Sequence, residues 1–312
     1  MIPPQILIHS DSISLSKDTC HVTGRADIYH GQHKGRLVAC KRLRRVAQNG
    51  RRDVCEEAAQ AIREGLMSLR CQGPGILPFH GIHLREEGQQ SPALYLVTRY
   101  QVSGTVVDYL LSDESANRLL LIRDIVQGLG FLHDVGIVHG DINPDNILVD
   151  ASGHALLGSF GHARLLSDGP VDISKCRPRR PVGAVAYQPP EYLEAVLKDT
   201  LLIPSIAADI YSLGCLAYKL FVGRSPFCDI APKLLPCIRD CHIMTAVAGG
   251  RQPTKPNASD PAFTSNGLTH EVWTLIEECW DRNCQNRPSA DAIAKRAVLT
   301  AIPDGRHSLS PE

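Results

Sequence analysis

The residues best suited to chemistry lie in one short segment, which reads HGDINPDNILV from His139 to Val149. The carboxylate of Asp141 can accept a proton from an attacking hydroxyl group. The amide oxygen of Asn146 is a hard ligand of the kind that Mg²⁺ binds in proteins. Residues of these two types, five positions apart, could together support proton transfer next to a metal-bound anion. The alternative is a turn rich in Asn and Asp between a helix and a strand, which needs no chemistry.

The flanking elements must position this segment. In the first hundred residues, short β-prone runs between glycines predict an antiparallel meander. Apolar spacing predicts one helix over residues 53–70, stopped by Pro74-Gly75, and two further strands at 76–77 and 93–98. From residue 115 onward the apolar period is helical. We therefore predict an α+β protein: a small antiparallel β lobe with one helix, then a larger, mainly α lobe, with a cleft near residue 100.

The segment around Asp141 resembles the protein-kinase catalytic loop, H-R-D-x-x-x-x-N. Other kinase landmarks occur in family order. They are Ala39-Cys40-Lys41 for the end of V-A-I-K, Ser159-Phe160-Gly161 for D-F-G, Pro189-Pro190-Glu191 for A-P-E, Asp209 for the central helix, and Arg287 near the end. The closest resemblance is to the tyrosine-kinase-like serine/threonine group, although Arg99 stands where the hinge of that group has an acidic residue.

The resemblance implies a two-lobed kinase fold divided into four segments. These are an N-terminal tail at 1–12, an N-lobe at 13–100, a C-lobe at 101–302 and a C-terminal tail at 303–312. It also implies that ATP binds in the cleft between the lobes.

Residue roles follow from the same resemblance. Asp141 is the catalytic base, and Asn146 binds a metal ion on the nucleotide phosphates. Lys41 contacts the phosphates and pairs with Glu64 on the helix. The other residues implied to contact the nucleotide are Ile28, Ala39, Thr98, Leu148 and the backbone of Tyr100 and Gln101. Glu191 and Arg287 are implied to form a structural ion pair.

Several family residues that handle phosphate are replaced in this chain. Ser159 replaces the Asp that chelates Mg²⁺, and a neutral hydroxyl cannot supply that charge. Asn143 replaces the catalytic-loop Lys, and Ala184 replaces the Thr that braces this Lys. Gly140 replaces the Arg that reads a phosphorylated activation segment. The glycine positions of the phosphate-covering loop hold side chains that hinder a close approach of backbone N–H groups to phosphate: His21, Thr23 and Ala26.

These replacements favour a pseudokinase that binds ATP, holds Mg²⁺ weakly or atypically, and acts as a nucleotide- or partner-regulated signalling scaffold. The first alternative is an active serine/threonine kinase that uses Asp141 and Asn146, with Mg²⁺ held by another carboxylate or by the phosphates. The second is a small-molecule phosphotransferase, because H-G-D with Asn146 also resembles the aminoglycoside and choline kinase loop. The landmarks at Ser159, Glu191 and Arg287 oppose that reading. The third is a binding module with an empty cleft.

Charge and composition bear on partners and location. The 312 residues carry 33 Lys+Arg and 33 Asp+Glu, so no net field attracts nucleic acid or anionic lipid. No apolar run approaches the ~18 residues of a membrane span, and the start does not resemble a signal peptide. Eleven scattered cysteines fit a reducing cytosol, so we expect a cytoplasmic protein without membrane association. The protein substrate or signalling partner is not identified by these patterns.

Two basic clusters remain, at residues 41–52 and 175–180. We interpret the first as a solvated loop rather than as a nuclear-localisation or nucleic-acid-binding patch, because no aromatic residues interleave it. The second either attracts an acidic partner or keeps a loop soluble.

Overall fold

The computed structural model describes residues 6–8, 12–22, 26–44, 54–87, 90–169, 171–172, 184–202 and 205–306. The chain divides into two compact units: residues 1–102 with 158–161, and residues 103–157 with 162–312. A β-rich unit followed by a larger helical unit confirms the predicted α+β architecture. The short stretch Gly158–Gly161 belongs to the first unit, whereas the segments predicted above place it in the C-lobe.

A six-stranded sheet forms most of the first unit. Its strands are β1 (Leu7–Ile8), β2 (Ile13–Val22), β3 (Ala26–His33), β4 (Arg36–Leu43), β5 (Phe79–Glu87) and β6 (Gln90–Arg99), in the order β1-β5-β6-β4-β3-β2. Only β1 is parallel to its neighbour, β5. Lys34 and Gly35 connect β3 to β4 with φ values of 51° and 76°, the left-handed conformation that two-residue hairpin turns require.

Both faces of this sheet bury apolar side chains. One face carries a core cluster of Ile13, Val38, Cys40, Ala93, Tyr95 and Val97. The other face packs against α1 (Val54–Arg70). The helix approaches the sheet closely at Gly65, where a β-carbon would lie 2.7 Å from Ile82 Cδ1. The predicted helix at 53–70 therefore positions its residues directly over the strands.

The start of the chain differs from its prediction as a tail. Residues 7 and 8 form β1, and Ile6 is buried against β5. Gly81 on β5 has a φ of 143°, and a β-carbon there would lie 2.6 Å from the carbonyl oxygen of Ile6. Any other residue at this position would therefore crowd the N-terminal segment. A two-residue strand whose partner is distant in sequence leaves no local periodic pattern.

The strand predicted at 76–77 is wrong. Ile76 and Leu77 are buried, but Ile76 forms only an isolated β-bridge, Leu77 lies in a loop, and β5 begins at Phe79. A short apolar run fits a buried loop as well as it fits a strand, so periodicity alone could not separate the two.

The second unit is mainly helical. Its helices are α2 (Val106–Ser112), α3 (Arg118–Asp134), α4 (Pro190–Lys198), α5 (Ile206–Val222), α6 (Pro236–Ala248), α7 (Pro261–Thr264), α8 (His270–Cys279), α9 (Ala290–Ala294) and α10 (Ala297–Thr300). Most side chains of α5 are buried, so this helix forms the centre of the unit. Within the described ranges no helix is long and apolar enough to span a bilayer.

Three small two-stranded sheets complete the second unit. They are β7 (Ile137–Val138) with β10 (Arg164–Leu165), β8 (Ile147–Val149) with β9 (Ala155–Leu157), and β11 (Val171–Asp172) with β12 (Leu201–Leu202). The β8–β9 hairpin begins directly after Asn146, so it extends from the end of the catalytic-loop segment.

Candidate functional site

An ion pair joins the sheet and the helix of the first unit. Lys41 Nζ donates to Glu64 Oε1 at 2.7 Å. The Lys41 side chain is 25% exposed and the Glu64 side chain only 4%. The buried carboxylate is therefore compensated by a lysine whose side chain is partly exposed.

Strand register places four of the predicted nucleotide-contacting residues on one sheet face. Ile28 on β3 lies opposite Lys41 on β4, and Ala39 lies opposite Thr98 on β6. Directly opposed residues of antiparallel strands share a face. Cys40, between them in sequence, points into the core cluster on the other face. Burial raises the pKa of its thiol to about 12, which makes it unreactive.

The backbone that follows β6 has free hydrogen-bonding groups. Tyr100 N donates to Leu37 O at 3.4 Å. Gln101 is only 7% exposed, yet within the described part of the chain its backbone N–H and C=O make no backbone hydrogen bond. An N–H donor and a C=O acceptor on the same residue, both without a backbone partner, can form hydrogen bonds with the edge of a planar base.

Ser159 also belongs to the first unit and contacts the ion pair. Lys41 Nζ donates to Ser159 Oγ at 3.3 Å. The backbone of Ser159 has a φ of 64°, an uncommon conformation for a residue with a side chain and one that Asp and Asn adopt more readily. Gly161 lies against Glu64, since a β-carbon there would be 2.7 Å from Glu64 Oε2. Ser159 and Gly161 therefore both lie against the Lys41–Glu64 ion pair.

In the second unit, Asp141 is held by two amides. Asn143 Nδ2 donates to Asp141 Oδ1 at 2.8 Å, and Asn146 Nδ2 donates to Asp141 Oδ2 at 3.0 Å. Asn143 Oδ1 accepts a hydrogen bond from Asp145 N, which caps the short turn at Pro144–Asn146. These bonds orient the Asp141 carboxylate. Asn143 fixes the loop but brings no positive charge.

Asp209 on α5 holds the backbone of this loop in place. Its carboxylate accepts hydrogen bonds from His139 N and Gly140 N, each at 2.8 Å, and contacts His133 Nε2 at 3.0 Å. Asp209 is 1% exposed, and these partners compensate its burial. The landmark aspartate therefore anchors the turn that carries Asp141.

His162 is a neighbour of Asp141 that the sequence did not predict. Its Nδ1 lies 3.8 Å from Asp141 Oδ2. Gly140, with a φ of 77°, lets the two segments approach, because a β-carbon there would lie 2.9 Å from His162 O. The only sequence signal was the position of His162 directly after Ser159-Phe160-Gly161.

The remaining predicted positions that the structure describes lie on separate elements. Leu148 lies on β8, opposite Leu156 and bridged to Thr105. His21 is on β2, and Ala26 is buried at the start of β3. Ala184 precedes a short 3-10 turn at Val185–Tyr187. Thr23, most of the first basic cluster and all of the second lie outside the described residues.

Glu191 on α4 and Arg287 form a bidentate ion pair. Arg287 Nη1 lies 2.7 Å from Glu191 Oε1, and Nη2 lies 2.8 Å from Oε2. The guanidinium also donates to the carbonyls of Asp281 and Ala207. The Arg287 side chain is fully buried and that of Glu191 is 36% exposed. This geometry is that of a structural clamp.

The two predicted metal positions do not fit a tightly held Mg²⁺ ion. Asn146 provides one neutral amide oxygen, because its Nδ2 is bonded to Asp141. Ser159 Oγ is neutral and lies beside the Lys41 ammonium. Mg²⁺ sites in proteins use carboxylates together with phosphate oxygens and water. Among the residues described, no three or more His, Cys, Asp or Glu side chains group to hold a metal ion.

Comparison with known proteins establishes the family. The family model described as "Protein kinase domain" matches residues 23–299. Serine/threonine-protein kinase 12 of Arabidopsis thaliana is 30% identical over 239 residues, which are 73% of this chain and 44% of that protein. Serine/threonine-protein kinase cst-1 of Caenorhabditis elegans is 29% identical over 251 residues, 78% of this chain and 44% of that protein. Tyrosine-protein kinase JAK3 of Rattus norvegicus is 28% identical over 275 residues, 85% of this chain and 22% of that protein.

The chain thus spans less than half the length of these relatives. The family match begins just after β2, and it covers the β-rich unit from β3 to β6 and the helical unit as far as α10. This chain belongs to the protein kinase family.

Proposed function

We propose that this chain is a pseudokinase, which binds ATP, transfers phosphate weakly and acts as a nucleotide- or partner-regulated signalling scaffold. The environment of Ser159 carries the proposal. Its hydroxyl lies 3.3 Å from Lys41 Nζ, at the position where the kinase resemblance requires the metal-binding carboxylate. Phosphoryl transfer depends mainly on electrostatic stabilisation, so the loss of this charge weakens the reaction.

The contacts of Lys41 support nucleotide binding. The Lys41 side chain is partly exposed, and the buried Glu64 carboxylate holds its ammonium group in place. It can therefore bind a phosphate by direct charge interaction, without a metal ion. In this proposal the base contacts Ile28, Ala39, Thr98, Leu148 and the backbone of Tyr100 and Gln101. The unpaired backbone groups of Gln101 give the base its hydrogen bonds.

Two further replacements, at Asn143 and Ala184, weaken phosphate transfer in addition to Ser159. Asp141 is oriented by two amides and can still accept the proton of a hydroxyl group. Asn143, however, provides no cation for the transferring phosphoryl group, and Ala184 has no hydroxyl. Removing one preorganised electrostatic contact costs about 10²- to 10³-fold in rate in other enzymes. Several such losses together favour a nucleotide-binding role over a catalytic one.

An active serine/threonine kinase is the second candidate. The observation that favours it is the ordered loop, in which both Asp141 oxygens are hydrogen-bonded and Asp209 anchors the backbone. In that case another carboxylate, or the phosphates themselves, hold Mg²⁺. The small-molecule phosphotransferase is less well supported, because the family match is to protein kinase domains.

Thermal unfolding with ATP tests the binding part of this proposal. We expect ATP to raise the melting temperature of the wild type in the presence of EDTA as well as with Mg²⁺. A ligand at about 100 times its Kd stabilises the folded state by ~2.7 kcal/mol. Lys41→Met should abolish the ATP-induced shift, whatever the melting temperature of the unliganded variant.

Lys295→Met is the matched control, because Lys295 forms an exposed pair with Asp291 away from the proposed site. It should keep the full ATP-induced shift. An absent shift in the wild type, or an unchanged shift in Lys41→Met, would overturn the proposed nucleotide site.

A further inference from the structure

The segment at residues 302–306, here called the C-terminal strap, lies beyond the family match, which ends at residue 299. We predicted most of it as a tail. Instead, Arg306 Nη1 donates to Asp124 Oδ2 at 2.8 Å and to Gly153 O at 2.7 Å. Its Nη2 donates to Asp124 Oδ1 at 3.0 Å. The strap is therefore bound to the second unit by a bidentate, charge-assisted contact.

Asp124 links this contact to the β8–β9 hairpin. It lies on α3 and is 7% exposed. Its Oδ2 also accepts a hydrogen bond from Ala155 N, the first residue of β9, at 2.9 Å. His154 Nδ1 lies 3.6 Å from its Oδ1. Because a buried carboxylate needs a charged partner, Arg306 allows Asp124 to hold the start of β9.

A second set of contacts holds the strap itself. Arg123, next to Asp124 on α3, forms an ion pair with Asp304 and donates to Ile302 O. Arg306 also donates to Asp304 Oδ2 at 2.9 Å. These hydrogen bonds lower the pKa of Asp304 well below its usual range. Asp304 thus links the strap to α3 through Arg123.

The clamped hairpin carries residues of the proposed nucleotide site. Its first strand follows Asn146 directly and contains Leu148. Its second strand ends two residues before Ser159 in sequence. Arg306 contacts the turn that joins these strands, at Gly153 O. The turn that Arg306 contacts is thus connected by two short, paired strands to Leu148 and to Ile147, which follows Asn146 directly.

We propose that the C-terminal strap clamps the β8–β9 hairpin and that Arg306 is a positioning residue for the nucleotide site. This inference rests on the proposed function in one respect, that ATP binding requires Leu148. The clamp on the hairpin does not depend on it. Capture of the strap by a partner, or its removal, would lower nucleotide affinity.

Hydrogen exchange and ATP titration of the full chain test the two parts separately. We expect Arg306→Gln to reduce the protection of amides in residues 147–157 by at least about tenfold, the effect of losing charge-assisted hydrogen bonds. The ATP affinity of this variant, measured well below its melting temperature, should be about two- to thirtyfold lower than that of the wild type. This is the range found for residues that affect a binding site without contacting the ligand. Arg306→Lys keeps the charge without the bidentate geometry and should give smaller losses of both.

Arg296→Gln is the matched control, because it breaks a surface ion pair with Glu278 elsewhere in the same unit. It should leave both measurements unchanged. Unchanged protection of the hairpin in Arg306→Gln would overturn the clamp. Lost protection with unchanged ATP affinity would overturn the positioning role. If the Gln variant does not fold, the same criteria apply to Arg306→Lys.

Failure of the proposed function has a different signature. In that case the wild type binds no ATP, while Arg306→Gln still loses hairpin protection. That outcome would support the clamp and overturn its role in positioning the nucleotide.

Discussion

Ser159→Asp should make ATP binding depend on Mg²⁺. The substitution restores a carboxylate at the position that binds the metal ion in the kinase resemblance. The backbone is already suited to it, since Ser159 has a φ of 64°, a conformation that Asp adopts more readily than Ser. We expect the ratio of the ATP affinity in Mg²⁺ to the ATP affinity in EDTA to be at least about tenfold higher in the variant than in the wild type. Tenfold is the lower end of the effect on metal affinity that is found for residues that tune metal sites. Isothermal titration with ATP under both conditions measures the ratio.

The Ser159→Asn variant is the control that distinguishes the effect of the Asp charge from the effect of its size and shape on Mg²⁺-dependent ATP binding. Asn has nearly the same size as Asp and tolerates the same backbone conformation, but it brings no negative charge. The Asn variant should therefore bind ATP with the wild-type dependence on Mg²⁺. A similar rise in both variants, or in neither, would show that position 159 does not control metal binding.

Glu191→Gln should lower the free energy of unfolding by about 3–5 kcal/mol, the usual cost of breaking a buried ion pair. The reason is the burial of its partner: the Arg287 side chain is fully buried. Glutamine keeps one neutral amide oxygen but not the negative charge, so the buried guanidinium is left with neutral acceptors, which include the carbonyls of Asp281 and Ala207, and with its packing near the Tyr211 ring. Urea unfolding followed by circular dichroism measures the loss.

Glu194→Gln is the control on the same helix. Glu194 is about as exposed as Glu191, but its partners Lys198 and Arg282 are 66% and 61% exposed, whereas Arg287 is fully buried. Exposed pairs contribute about 0–1 kcal/mol, so this variant should unfold almost as the wild type does. Equal losses in the two variants would mean that the Glu191 pair is no more than a surface contact.

Residues tied to family landmarks could be anticipated from the sequence because the landmarks fix their order along the chain. Glu64 is the clearest example: its choice as partner of Lys41 followed from its place before the end of the helix. Its distance from Lys41 did not follow, because the position of a helix on a sheet depends on packing. Gly65 provides that packing by allowing α1 to approach Ile82.

Contacts between segments that are distant in sequence could not be predicted from the order of the landmarks. β1 is two residues long and pairs with β5, so no periodic pattern marks it. Arg306 lies in the segment 303–312, which is predicted as a tail. Its partner, Asp124, belongs to no motif in the sequence. Burial of that carboxylate, visible only in the fold, explains the interaction.

The site around Asp141 shows a third limit of sequence patterns. The replacement of the catalytic-loop Lys by Asn143 was apparent, whereas the use of that side chain was not. In the structure its amide bonds both Asp141 and the following turn. His162, which approaches the same carboxylate, had no motif of its own. Side-chain geometry within a loop depends on hydrogen bonds that spacing does not encode.

The central claim, weak phosphoryl transfer by a chain that binds ATP, is tested most directly by its rate of phosphate transfer. Wild type and Asp141→Asn would be incubated with Mg²⁺, radiolabelled ATP and a generic protein substrate. We predict that both proteins transfer label at a low rate and that the wild type is only slightly faster than Asp141→Asn, under conditions where the wild type is saturated with ATP. Robust transfer by the wild type that Asp141→Asn abolishes would contradict the account and identify the chain as an active kinase.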